Sequence, residues 1–321
     1  MPEARHRLQT LSWNELKPVW LPLDVIVQWS NALLAATVVL ATPRLAHASA
    51  YLLLHALIAA AVYVLAKLED ARSRALDPLA FLHDWLPAVF VMLVYFELGM
   101  IIPALRDYSD FRYDHALQAI DLWLLGDPVA WIARCASPLL SDILTVCYVA
   151  YYPYAIAVPL ALYIRGTRAE YQRAAAVVLM AFLVSYAGYV VWPALGPHRL
   201  FDVYRPAELD GYGLARVGYG MFRGLPNEPP DAFPSGHTLI GVLVPWIAYR
   251  FYRPLLVWLI PVGIGIVLAT VYLRFHYLAD LAGSFVLAPV VWQLAAAVER
   301  RYRSHAALGP ALQQDAFEEQ S

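Results

Sequence analysis

Phe233-Pro234-Ser235-Gly236-His237-Thr238 opens a long apolar run that closes at Arg274-Phe275-His276-Tyr277-Leu278-Ala279-Asp280-Leu281-Ala282-Gly283, and these two ends decide how the rest of the chain is read. The histidines stand 39 residues apart. As helix, at about 1.5 Å per residue, that separation spans ~58 Å, close to two crossings of a hydrocarbon core of roughly 30 Å. Both histidines are therefore expected on the same membrane face.

The ends of those helices suit a phosphate. Pro234 and Ser235 occupy positions where an N1 proline or an N-capping serine starts a helix, leaving the amides of Gly236 and His237 free to point at an anion. Gly236 lets a ligand approach the backbone closely. His276 and Asp280 are four apart, so a helix brings the carboxylate one turn from the imidazole, where it can fix the tautomer and stabilise the charged ring. A histidine so held is a candidate nucleophile or base. The bland alternative makes each an ordinary polar residue at a membrane interface; two of them at paired helix ends, one with a carboxylate, favour the chemical reading.

Pro234 to His237, followed by Tyr272-Leu273-Arg274-Phe275-His276-Tyr277-Leu278-Ala279-Asp280, resembles the second and third signature motifs of the type 2 phosphatidic acid phosphatase superfamily. Trp192-Pro193-Ala194-Leu195-Gly196-Pro197-His198-Arg199 resembles the first motif in its inositol phosphorylceramide synthase-like (inositolphosphotransferase) branch. The motifs cover 192 to 283; the helical frame extends the resemblance from about 115 to 298. It implies a six-helix core around one phosphate pocket. There His276 would attack phosphorus to give a phosphohistidine, with Asp280 orienting the ring and His237 protonating the leaving oxygen. Arg199, Ser235 and the Gly236 amide would hold the equatorial oxygens. No metal and no cofactor are implied. The chain departs from the wider superfamily at Trp192, where the first motif has Lys, at Leu200, where it has Pro, and at Thr270, where the third motif has Arg. Arg274 is the candidate substitute for a missing phosphate-binding cation, although residues i and i+2 point to different faces of a helix.

Composition sets the class. Of 321 residues, 61% are hydrophobic and 15% charged, as expected of an all-α polytopic membrane protein. The net charge of −2 selects no partner, and without a basic run or stacking aromatics nucleic acid is set aside. Cys135 and Cys147, the only cysteines, are expected to be ordinary buried thiols. Apolar spans are expected at about 22–42, 49–66, 85–105, 141–164, 174–194, 235–252, 255–273 and 277–298, eight helices in all. The first is read as an uncleaved helix rather than a signal peptide. With residues 1–21 as a cytoplasmic segment, fourteen of the 23 Lys and Arg residues fall on the cytoplasmic side, Arg5, Arg7, Lys17, Arg72 and Arg74 among them. All three motifs then face the non-cytoplasmic side.

Residues 22–298 are expected to form one catalytic domain, with 299–321 expected as a disordered cytoplasmic tail. Asp114 to Pro128 alternates apolar and polar faces at helical spacing and breaks at Gly126-Asp127-Pro128, so an amphipathic helix is expected in the outer interface, with Trp123 and Trp131 at headgroup depth. The Gly- and Pro-rich connection 196–233 is read as a lid. Glu97, in mid-span, is either functional or paired with a neighbouring helix. Tyr148, Tyr151, Tyr152 and Tyr154 are packing aromatics or the lining of a headgroup pocket.

These readings converge on phosphoryl transfer at a lipid–water boundary, with a lipid phosphate or phospholipid as substrate. An alcohol acceptor such as inositol makes the protein a phosphotransferase; water makes it a lipid phosphate phosphatase. A transporter, or a metal site built from His237, His276 and Asp280, is the alternative of a different class. The sequence does not fix the oligomeric state.

Overall fold

Proline stands at the first position of several helices, where its missing N–H costs no hydrogen bond and its fixed φ is already helical. Pro22 opens α1 (Pro22–Ala41), which is followed by α2 (Ala48–Leu68); Pro78 opens α3 (Pro78–Leu105). The amphipathic stretch forms α4 (Arg112–Leu125), and Pro128 and Pro138 open α5 (Pro128–Cys135) and α6 (Pro138–Val149). Next come α7 (Tyr151–Arg165), α8 (Arg168–Val191) and the single turn α9 (Pro197–Leu200). After α10 (Leu214–Arg223), the chain ends with α11 (Gly236–Phe251), α12 (Leu256–Tyr272) and α13 (Leu278–Glu318). This computed structural model describes residues 20–68, 78–200, 207–223 and 228–318, and every regular element among them is a helix. Arg5, Arg7, Lys17, Arg72 and Arg74 lie outside the described residues, as do 201–206 and 224–227 of the expected lid.

Each of the eight expected spans is helical. Among the described residues six helices are long and apolar enough to cross a membrane, and α6 with α7 makes a seventh if that pair, bent by 47°, is counted as one span. The bend corrects the expectation of one helix over 141–164. Pro153 accounts for it, because its ring conflicts with the carbonyl four residues back and it supplies no N–H. The remaining span, α11, has 16 residues, ~24 Å of helix, short of a core of roughly 30 Å. It lies at the centre of the bundle: Leu239, Ile240, Leu243, Val244, Ile247 and Ala248 are fully buried. α13 runs to Glu318, beyond the boundary expected at 298.

α11 packs on α7, α8, α12 and α13. Its approach to α12 is set at Gly241 and Gly263, where a Cβ on Gly263 would stand 2.8 Å from the Gly241 carbonyl oxygen and 2.4 Å from the Tyr154 hydroxyl. Small residues at a crossing let membrane helices come close enough for dispersion to hold them. Tyr154 uses the space, donating to the carbonyls of Leu259 (2.9 Å) and Gly241 (3.3 Å). It is a tie between helices, and it does not line the histidine pocket described below.

The first three helices form a layer tied together by buried polar groups. His55 Nδ1 donates to Asn31 Oδ1 at 2.8 Å, its Nε2 lies 3.0 Å from Glu97 Oε1, and Asn31 Nδ2 donates to the His55 carbonyl. His83 Nε2 lies 2.7 Å from Asp24 Oδ1. Glu97 is thus paired with a neighbouring helix. Interhelical hydrogen bonds in membranes average about 0.6 kcal/mol, so these contacts set the register of α1, α2 and α3 more than they hold the layer together.

Candidate active site

The three motif segments meet at one end of the bundle and are laced together through backbone groups. The His198 N–H donates to the Arg274 carbonyl (2.8 Å), and the Ala232 N–H donates to the Ala194 carbonyl (3.0 Å). Helix α4 clamps the assembly from outside. Asp114 Oδ1 accepts from the Gly196 N–H at 2.7 Å and the Tyr277 hydroxyl at 3.1 Å, and its Oδ2 from the Leu195 N–H at 3.0 Å. Asp121, two turns along, accepts from the N–H groups of Leu278 and Ala279, both at 2.8 Å, and so caps α13. Burial pushes both carboxyls above the usual carboxylate range, and the donated hydrogen bonds oppose the push. The opposite face of α4 is free, with Trp123 83% exposed, as an interfacial helix requires. Trp131, on α5, is exposed as well.

His276 sits in the turn before α13, buried, with Nδ1 2.8 Å from the Ala232 carbonyl oxygen and 3.4 Å from Asp280 Oδ2. A carbonyl only accepts, so Nδ1 carries the proton and Nε2 keeps a lone pair. The principal bond of the ring is therefore to Ala232. Asp280 stands behind the ring and uses Oδ2 to accept the Tyr277 N–H at 2.8 Å.

His237, in the first turn of α11, faces His276 with ring centroids 5.8 Å apart. It is sandwiched between Tyr148 at 4.2 Å and Tyr151 at 4.0 Å, and Tyr148 stacks in turn on Phe275 at 4.6 Å. Those two tyrosines flank the break between α6 and α7, so the bend sets the rings on either side of the histidine. Tyr148, Tyr151, Tyr152 and Tyr189 line the histidine pocket, a cavity of about 50 Å³, together with Glu228 and Asp231.

The remaining expected site residues are placed differently from one another. The Ser235 hydroxyl is fully buried and caps α11, accepting from the Thr238 N–H at 3.2 Å. At Gly236 the space a Cβ would need is held by the hydroxyls of Tyr189 (3.0 Å) and Tyr151 (3.3 Å), so these phenols lie against the backbone where a ligand was expected. Arg199, on α9, is ion-paired with Glu228. Arg274 has φ +66° and is buried; it is absent from the histidine pocket and lines a small cavity on the α4 side, with Asp121, Asp127 and His276. Among the described residues no three of His, Cys, Asp and Glu form a metal-ligating group.

Sequence reasoning missed several residues. Asp231 lies in the pocket wall and accepts from the Tyr95 hydroxyl at 2.9 Å; burial raises its pKa while the nearby His276 lowers it. Asp142 on α6 accepts from the N–H groups of Tyr212 and Ala215 and pins the start of α10, so that part of the connection expected as a lid is an anchored helix. Asp114 and Asp121 carried a legible signal, because a spacing of seven puts both on one helix face.

Fold and site together define an all-helical, multi-pass membrane protein with two histidines at the end of its bundle. The PAP2 superfamily model matches residues 115–294, more than half of the chain, and the chain belongs to that superfamily. Its members are phosphatases or phosphotransferases, which supports an enzyme acting on lipid phosphates. No curated protein and no solved structure matches the chain.

Proposed function

We propose that this protein is a lipid phosphotransferase of the inositol phosphorylceramide synthase-like type, moving a phosphorylated headgroup through a phosphohistidine at His276 on the non-cytoplasmic face. The observation that carries the reading is the state of His276. Its Nδ1 is committed to Ala232, and Nε2 is the atom left to attack across a pocket that His237 shares. In the first half-reaction the Nε2–P bond forms, the bond from phosphorus to the lipid oxygen breaks, and His237 gives its proton to that oxygen. In the second, an acceptor hydroxyl loses its proton to His237, its oxygen attacks phosphorus and the P–N bond breaks.

Asp280 and Asp231 both place negative charge near the imidazolium that forms. Arg199 is the cation nearest the role of phosphate holder, and the incoming phosphate exchanges with Glu228 for it. Transfer is favoured over hydrolysis by the first-motif form Gly196-Pro197-His198-Arg199. The non-cytoplasmic placement rests on the Lys and Arg asymmetry of the connecting segments.

The test is product partitioning. Purified protein is given a labelled lipid phosphate or phospholipid with inositol, glycerol or a sphingoid lipid as acceptor. Label in the acceptor product is the expected result; inorganic phosphate as the sole labelled product across the panel identifies a phosphatase instead.

A further inference from the structure

Beside the histidine pocket runs a much larger cavity, about 420 Å³ against about 50 Å³. Its walls are α3, α7 and α8, and Met92, Tyr152 and Phe182 line both cavities, so the two adjoin across these three side chains. Away from that junction the lining is hydrocarbon, from Val91 of α3, Ile156 and Pro159 of α7 and Leu179 of α8. The far end is closed by rings: Trp85 lies 5.7 Å from Tyr163 and 5.8 Å from Tyr171, and Tyr163 lies 5.0 Å from Tyr171, centroid to centroid. Asp84 stands at that closed end, salt-bridged to Arg168 at 2.9 Å and accepting from Gln172 at 2.8 Å.

The dimensions identify the occupant. Asp84 to Tyr95 is eleven residues along α3, ~16 Å of helix, or about half of a hydrocarbon core of roughly 30 Å. The histidine pocket is too small for a hydrocarbon chain, whereas the larger cavity is of ligand size, within the usual range of about 300–1,000 Å³. Met92, Tyr152 and Ile156 are each more than a third exposed, so the groove opens sideways between α3 and α7. A chain can therefore enter without leaving the hydrocarbon of the bilayer. One wall, α3, precedes the region that the superfamily model matches.

We propose that this groove holds the hydrocarbon chain of the lipid phosphate attacked at His276, and that its aromatic floor limits the chain to about one leaflet's depth. The inference rests on the proposed lipid phosphate chemistry and adds to it where the tail lies and what measures it.

The experiment uses full-length protein in detergent and a series of n-alkyl phosphates from butyl to eicosyl, with n-alkanols of the same lengths as controls. Equilibrium binding and KM are both read. In wild type, affinity should rise with each added methylene and then stop rising at the length that fills the groove. Ala175→Leu narrows the groove and should move that break to a shorter chain, weakening binding of the longest phosphates about tenfold. Trp85→Ala opens the floor and should move the break to longer chains, so opposite shifts are expected from two independent variants. An unmoved break in both variants, or alkanols that bind as tightly as the phosphates, overturns the proposal; the second result makes the groove an ordinary lipid crevice. The outcomes separate the two levels of inference. Chain-length-dependent binding without turnover leaves the groove standing and removes the catalytic reading. Turnover indifferent to chain length does the reverse.

Discussion

The Nδ1 atom of His276 stands 2.8 Å from a backbone carbonyl and 3.4 Å from a carboxylate, and in the proposed mechanism this arrangement leaves Nε2 as the attacking nitrogen. Among the described residues His237 has no such anchor and is held by stacking, which in the proposed mechanism leaves its ring nitrogens for proton transfer. If His237 is the general acid, His237→Asn should lower kcat/KM on lipid alkoxide leaving groups by about 10²–10⁴, and by much less on a nitrophenyl phosphate, whose leaving group needs little proton assistance. Equal losses on both would assign His237 to holding phosphate. Ser235→Ala should cost about 1 kcal/mol of stability through the lost cap of α11, read as a lower Tm. A large KM effect with Tm unchanged would place its hydroxyl on the phosphate instead. His237, His276 and Asp280 were legible in the sequence because helix ends and an i, i+4 spacing are local signals. Asp231 and Glu228 were not, since they lie in a Gly- and Pro-rich connection without periodicity and reach the pocket only through tertiary folding.

At the scale of elements, α4 joins the first and third motifs through carboxylates on its buried face. Asp121→Ala removes the acceptor for two amides at the start of α13 and should cost about 1–2 kcal/mol, the range for helix caps, with activity falling because His276 immediately precedes that helix. Asp114 supplies the pH dependence. Its folded pKa is raised by burial, so on acidification the folded state takes up the proton before the unfolded state does. The ionised carboxyl therefore lowers stability above the raised pKa, and that cost is relieved as pH falls through it toward the ordinary value of about 3.9. Asp114→Asn does not titrate, so its Tm should fall further behind wild type as pH drops through that window. A gap that moves in favour of the variant on acidification would contradict the assignment. Hydrophobic periodicity predicted α4, but not which residues its polar face would bind. The bend between Val149 and Tyr151 is the converse case: an unbroken apolar stretch hid it, and only packing shows that it sets Tyr148 and Tyr151 about His237.

Across the whole molecule, apolar stretches made the helical, multi-pass architecture legible, because a bilayer demands long segments that satisfy their own backbone. The central position of α11 was less so: its 16 residues are short for a span, and its burial depends on the neighbours that surround it. Reporter fusions after Leu214 should read as non-cytoplasmic and fusions after Arg168 as cytoplasmic; the reverse would move the chemistry to cytoplasmic substrates. The claim on which the account depends is that phosphorus becomes bonded to His276. Its most direct test is to quench the purified protein during turnover of a phosphorus-labelled lipid phosphate and map the covalent label. The account predicts an acid-labile, base-stable adduct on the peptide carrying His276, formed in wild type and absent from His276→Ala. Turnover without any labelled protein, or undiminished labelling and activity in His276→Ala, would contradict it.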